Sequence, residues 1–336
     1  MDKRLNALER WIRTDTSIEL KKIEPASADA SFRRYFRVHL KPCEKFNTVD
    51  TIIAMDAPPE HENNVMFIKC AQTLNHCGLH APTIFNTNLE QGFLLIEDLG
   101  TLTYQAQLKG VDKNKLYADA TQALVKLQSN TQKYATRFNS YSESLLRNEM
   151  ALFEQWYVNA HLMKTLSHEQ KFALDSIFTL LIKNACEQSQ VLVHRDYHCR
   201  NLLLTGNNNP GIIDFQDMVV GPITYDLVSL FKDCYISWPR QDVINWVEEH
   251  RIASIKAKLI TSKVDSKQWL KWFDLMGIQR HLKVLGIFAR LNHRDNKPQY
   301  IDDLPLVNQY LRDACDDYEE LQPLNLLLKN IHSIND

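Results

Sequence analysis

The chain has 336 residues, 44% of them apolar, and a formal net charge of -2 at neutral pH. That length allows two domains with full cores, and so small a charge gives no push towards nucleic acid or an anionic membrane. No apolar run is long enough to span a bilayer, and the charged N-terminus MDKRLNALERWIRTD lacks an apolar signal core, so a cytoplasmic protein is expected.

In chain order, residues 1–14 read as an amphipathic helix with Leu5, Leu8, Trp11 and Ile12 on one face. Strands are predicted at Ile18 to Ile23, Tyr35 to Leu40 and Thr51 to Met55, with a small-residue turn, PASADAS, from Pro25 to Ser31. Ala57-Pro58-Pro59 ends the third strand, because proline supplies no ladder donor. Residues 62–77 read as a helix closed by Gly78. Phe93 to Ile96 is an apolar strand running into Glu97-Asp98-Leu99-Gly100. Beyond it the pattern turns helical, at Leu116/Ala120/Leu124/Leu127, Leu146/Met150/Phe153/Tyr157 and Leu275/Ile278/Leu282/Leu285/Ala289. The expected fold is α+β, with a small antiparallel β-sheet lobe over residues 1–98 and a larger, mostly helical lobe over 99–336. The seven cysteines, Cys43, Cys70, Cys77, Cys186, Cys199, Cys234 and Cys315, are scattered and contain no C-x-x-C. They argue against a disulfide framework or a zinc knuckle.

The informative stretch is VLVHRDYHCRNLLLTGNNNPGIIDFQD, residues 191–217. A strand feeds His194-Arg195-Asp196, Asn201 follows five residues later, and a polar turn predicts a hairpin ending in Ile213-Asp214-Phe215. Folding that hairpin about residues 207–209 brings Asn201 near Asp214. Magnesium takes oxygen ligands and keeps several waters, so one amide oxygen and one carboxylate suffice beside nucleotide phosphates. A second carboxylate must stand off the metal to orient a hydroxyl and accept its proton. Asn201 and Asp214 fit the metal role, and Asp196 fits the base. One rival is that these acids cap turns. Another is a zinc hydrolase built on His194-x-Asp196-x-His198, which needs further ligands.

H-x-D-x-x-x-x-N followed by I-D-F resembles the catalytic loop and metal-binding aspartate of the protein-kinase-like fold. Gly221-Pro222-Ile223-Thr224-Tyr225-Asp226-Leu227 resembles the matching element of aminoglycoside phosphotransferases and choline kinases. That resemblance implies ATP with Mg²⁺, a structural place for His194, and an Asp226 that braces the catalytic loop. Glu97, Asp98 and Leu99 then take the place of the adenine-binding hinge, and the turn ending at Ser31 takes that of the phosphate loop. The chain lacks G-x-G-x-x-G, and the expected third-strand lysine is missing at Ile52-Ile53-Ala54-Met55-Asp56. Arg33 or Arg34 is the expected replacement cation, with two solvated surface charges as the competing reading.

SFRRYFRV (31–38), MDAPPE (55–60), QGFLLIEDLG (91–100) and GIFARLNHRD (286–295) are similar to segments of the anomeric amino-sugar kinases of bacterial cell-wall recycling. Those enzymes phosphorylate C1 of N-acetylmuramate and N-acetylglucosamine. The resemblance implies a small amino-sugar partner; a monomer is expected. Glu149 and Trp156, seven apart, would share a helix face about 10 Å from each other, offering a carboxylate to sugar hydroxyls and an indole to a pyranose face. Arg290 and Arg294 share a face with His293, and either arginine could meet the lactyl carboxylate of muramate. The plainer readings are a core tryptophan, a solvated glutamate and a basic helix cap. The functional rivals are a choline-like or aminoglycoside kinase, and a degenerate nucleotide-binding module.

Overall fold

The computed structural model describes residues 2–16, 18–28, 32–41, 50–108, 110 and 112–333. It divides into two compact units, Met1–Gln107 with Leu202–Gln216, and Leu108–Asn201 with Asp217–Asp336. The first unit thus runs past residue 98 and takes in a segment from the middle of the chain.

The first unit opens with helix α1 (Lys3–Asp15), capped by the Asp2 side chain. Strands β1 (Leu20–Ala28), β2 (Arg34–Leu40) and β3 (Thr51–Asp56) follow, then helix α2 (Asn64–His76) and strands β4 (Ile84–Asn88) and β5 (Phe93–Glu97). The sheet order is β1-β2-β3-β5-β4, antiparallel throughout. Period-two alternation sorts the strands' side chains between the two faces. Leu8, Trp11 and Ile12 of α1 pack with Val38, Ile52, Ala54, Phe93 and Leu95. Ile53, Met55, Leu94 and Ile96, the alternating residues, are buried as well. Each such side chain contributes roughly 1.5–3 kcal/mol by leaving water. Gly78, at φ 77°, closes α2 as expected, with the Leu79 amide reaching back to the Leu74 carbonyl at 3.1 Å.

Two sequence expectations shift here. The first strand continues through Pro25 to Ala28, with irregular register against β2 on either side of it. Proline is tolerated because β1 is the sheet edge and owes few ladder bonds. β4 was invisible in the pattern because NTN interrupts its apolar character. Residues 29–31, including Ser31, lie outside the described residues.

A short α3 (Tyr104–Gln107) is followed by α4 (Lys113–Asn130) and α5 (Glu143–Leu152). α5 runs directly into a π-helix, Phe153–His161. Then come α6 (His168–Glu187), β6 (Gln190–Val193), the hairpin strands β7 (Leu202–Leu203) and β8 (Gly211–Ile212), and β9 (Val219–Pro222). Helices α7 (Tyr225–Phe231), α8 (Arg240–Lys256), α9 (Ser266–His293), α10 (Leu304–Asp317) and α11 (Gln322–His332) complete the chain. Every residue of α9 from Trp272 to Gly286 is buried. A helix covered on all sides forms the centre of its unit, and α5, the π-helix, α6, α7, α8 and α10 all pack on α9. Among the described residues no helix is long and apolar enough to cross a membrane.

Candidate active site

In the second unit, β6 is an apolar strand paired antiparallel with β9. It delivers the chain to His194 beside the first turn of α7. The fully buried Asp226 accepts the His194 amide at 2.7 Å and the Arg195 amide at 2.9 Å. Burial raises the Asp226 carboxyl to about 7, although both amides pull it down. Arg195 is held at φ 77°, a left-handed conformation that costs a non-glycine residue of order 1–3 kcal/mol. Its carbonyl accepts from Arg280 of α9 at 2.7 Å.

The next residue, Asp196, presents a carboxylate 40% exposed and 3.6 Å from the Arg280 guanidinium. Burial works against its charge, but Arg280 and Lys283 outweigh that and hold it well below the ordinary carboxylate range. The His198 and Asn201 amides then close successive turns on the Asp196 and His198 carbonyls, at 3.0 and 2.9 Å. The Asn201 side-chain nitrogen donates to the Asp196 carbonyl at 3.0 Å. The same side chain carries an amide oxygen, a ligand type that suits magnesium.

His194 is fully buried, and its Nδ1 accepts the Asp196 amide at 3.3 Å. It packs inside the unit and steadies the backbone at Asp196. The zinc alternative finds no support, since no group of three or more His, Cys, Asp or Glu among the described residues could hold a metal ion.

Glu149 sits differently from its sequence expectation. It is 8% exposed and bound by Arg195, by the Tyr141 hydroxyl and by Lys283 at 3.2 Å. It is the anion of a buried ionic network rather than a solvated surface acid. The shared face with Trp156 also fails. That argument assumed α-helical spacing, whereas the chain between them switches to π-helical winding at Phe153. Trp156 is half-buried. At the end of α9, Arg290 is half-buried and its Nε has no hydrogen-bond partner among the described residues. Arg294 is exposed and bound by Asp295 at 2.8 and 3.0 Å.

Sequence reading missed Arg280, Lys283, Tyr141 and the side-chain role of Arg195. Two charges inside the otherwise apolar run LMGIQRHLKVLGIFA were the available signal, because buried charges are nearly always paired.

In the first unit, β7 and β8 pair Leu202 with Ile212 and Leu203 with Gly211. Asn201 thus immediately precedes the first rung, and Asp214 lies two residues past it. The Leu204 amide donates to the Leu102 carbonyl at 2.7 Å, and the Ile212 amide to the His80 carbonyl at 2.7 Å. Gly211 sits in close quarters, for a Cβ there would lie 3.0 Å from the Leu99 side chain. Asp214 sits at φ 62° and accepts from the Gln216 amide at 2.8 Å.

The hinge acids are committed to structure. Glu97 accepts the Thr83 amide at 3.1 Å and lies 3.2 Å from His80. Asp98 accepts Arg37 at 2.6 Å, the Thr51 hydroxyl at 2.8 Å and the Gly100 amide at 3.0 Å. Burial alone would raise the Asp98 carboxyl, but Arg37 and Thr51 lower it overall. Arg33 is 6% exposed and pairs with Glu62 at 2.6 Å. Arg34 is bound by Asp2 and by the fully buried Asp56, which also takes Arg4.

A kinase-like sheet unit, a helical unit and a braced H-x-D-x-x-x-x-N loop define a phosphotransferase. The chain belongs to the phosphotransferase enzyme family, which matches residues 22–259. It is 41% identical to an N-acetylmuramate/N-acetylglucosamine kinase of Pseudomonas putida, covering 92% of this chain and 88% of that relative. Its fold is also that of choline kinase from Cryptosporidium parvum (TM-score 0.64, 15% identity, 96% of this chain and 99% of that one). An ADP-bound aminoglycoside phosphotransferase matches with a TM-score of 0.58 at 14% identity, over 92% and 98% of the two chains.

Proposed function

We propose that this chain is an ATP-dependent sugar kinase that phosphorylates the anomeric C1 hydroxyl of N-acetylmuramate and N-acetylglucosamine, within peptidoglycan recycling. The observation that carries the reading is the braced Asp196–Asn201 loop in a chain 41% identical, over 92% of its length, to a kinase for those two sugars. Asp196 orients the C1 hydroxyl and takes its proton as the oxygen–phosphorus bond forms and the β–γ bridge breaks, releasing ADP. Asn201 and Asp214 are the residues that would offer oxygens to magnesium, and the ion would supply neutralisation of phosphate charge. Positioning and charge stabilisation by these fixed groups do most of the work. Arg33, kept in place by Glu62, stands in for the missing strand lysine. Arg290, half-buried and with an Nε that has no hydrogen-bond partner among the described residues, faces the lactyl carboxylate of muramate.

The test is ATP consumption with N-acetylmuramate, N-acetylglucosamine, choline and an aminoglycoside, with the product located by phosphorus NMR. The two sugars should be turned over at C1, and Asp196→Asn should cut kcat by about 10²–10⁴-fold with the fold intact. Turnover of choline or the aminoglycoside alone, or full activity in Asp196→Asn, would overturn the reading. In the same panel Arg290→Ala should weaken muramate more than glucosamine; equal effects would remove Arg290 from the acceptor site.

A further inference from the structure

We propose that Arg280 is a positioning residue for phosphoryl transfer, gripping from α9 both the strained backbone at Arg195 and the carboxylate of Asp196. The inference rests on the assignment of Asp196 as the base and adds a residue that neither the motif nor the family element contains.

A left-handed Arg195 persists only if its surroundings over-determine it. All three of its polar groups are held. Asp226 takes the amide, Glu149 takes the guanidinium and Arg280 takes the carbonyl. Arg280 is the one partner that also reaches the next residue, with Nη1 on the Arg195 carbonyl at 2.7 Å and Nη2 3.6 Å from Asp196 Oδ1.

Arg280 is itself fixed. It is 6% exposed, donates to the Tyr225 hydroxyl at 3.2 Å and lies over the Tyr225 ring at 5.4 Å. Lys283, one turn further along α9, donates to the same hydroxyl at 3.1 Å. The Tyr141 hydroxyl, which donates to Glu149, lies 3.3 Å from it. The whole assembly ties α5, α7 and α9 to the loop.

The charged groups facing Asp196 are Arg280 and Lys283 from α9, Arg195 from the loop and Asp226 from α7, with the His198 imidazole, lowered by burial, beside them. Cations dominate this set, a setting that suits a carboxylate meant to orient a hydroxyl. The C1 hydroxyl proton passes to an Asp196 oxygen as the new oxygen–phosphorus bond forms. The electron pair of the broken β–γ bridge leaves on ADP, and the proton then goes to solvent. Arg280 stabilises the ionised state at both ends of that cycle.

Arg280→Lys keeps the charge, but one ammonium cannot span both oxygens. Its kcat should fall about 10–100-fold, with the KM of sugar and of ATP within twofold of wild type. Arg280→Gln should lower kcat at least as far, again with both KM values within twofold of wild type. Wild-type kcat in Arg280→Lys, or an activity loss that only matches the loss of folded protein, would overturn the proposal. Should neither variant melt cooperatively, Tyr225→Phe decides, because it removes the hydroxyl that fixes Arg280. Its kcat should fall with both KM values kept, and a wild-type kcat counts against the grip. Asp196→Asn run in parallel separates the two claims. If it is active, the base assignment fails. If it is inactive while Arg280→Lys is normal, only the grip fails.

Discussion

Arg33 and Arg34 are neighbours in the chain and opposites in their surroundings. Arg33 is buried and pairs with Glu62. Arg34 is 39% exposed and bridges Asp2 and Asp56. A buried guanidinium held in a fixed geometry is preorganised, whereas a half-exposed one that bridges two acids serves to join them. Arg33→Ala should therefore raise the ATP KM several-fold. Arg34→Ala should leave that KM unchanged and lower stability by about 1–2 kcal/mol, because Arg4 still partners the buried Asp56. Steady-state ATP titrations and urea melts of both variants check this; an unchanged KM in both removes this segment from phosphate binding. The sequence showed two adjacent arginines in place of a lysine. Which of them is committed elsewhere depends on acids 22 to 32 positions away, a distance no local pattern covers.

At the scale of elements, the junction between α5 and the π-helix is where helical periodicity misled. Met150, Phe153 and Tyr157 are buried as the spacing predicted, yet the winding between them is not uniform. Gly286 of α9 marks the cause. A Cβ at that position would lie 2.4 Å from the Leu152 carbonyl carbon and 2.5 Å from the Leu152 side chain. The two helices meet backbone to backbone at the residue where α-helical winding gives way. Gly286→Ala gains up to about 1 kcal/mol in helix propensity but forces this contact apart. A net destabilisation of about 1–3 kcal/mol is expected, as for other overpacked cores. Denaturant midpoints measure it, and a variant as stable as wild type would show that the helices do not approach this closely.

The whole molecule carries its pH dependence in buried imidazoles. His250 and His281 are each lowered to about 3, first by burial, and so stay neutral in the folded state. Unfolded, each would protonate near 6.5. Their effect is absent above that pH and grows as pH falls towards 3, by about 1.4 kcal/mol per pH unit each. Asp226 acts in the opposite sense. Raised to about 7, it favours folding fully below 3.8 and loses that contribution as pH rises through 7. His198, His161 and His332 are lowered by burial too and act in the same sense as the first two. The net is a loss of at least about 1.4 kcal/mol for each unit below 6.5, down to about 4. Urea unfolding at pH 6.5 and pH 5 should show it. His250→Phe, which keeps the stack on Trp269, should reduce the slope by about 1.4 kcal/mol per unit; an unchanged slope would mean that other groups set it.

What the sequence determined by itself was local. Four of the five sheet strands, the helical stripes, the His194–Asn201 loop and the Asp214 hairpin are written in short-range periodicity and spacing, which are legible because backbone geometry repeats every two or 3.6 residues; β4 is the exception. Tertiary structure alone decided the partners of the buried charges. Glu149 meets Arg195 and Lys283, and Arg280 meets the loop 85 positions upstream. A charge removed from water must find its counter-charge wherever packing places one, and nothing in the neighbouring residues encodes that choice.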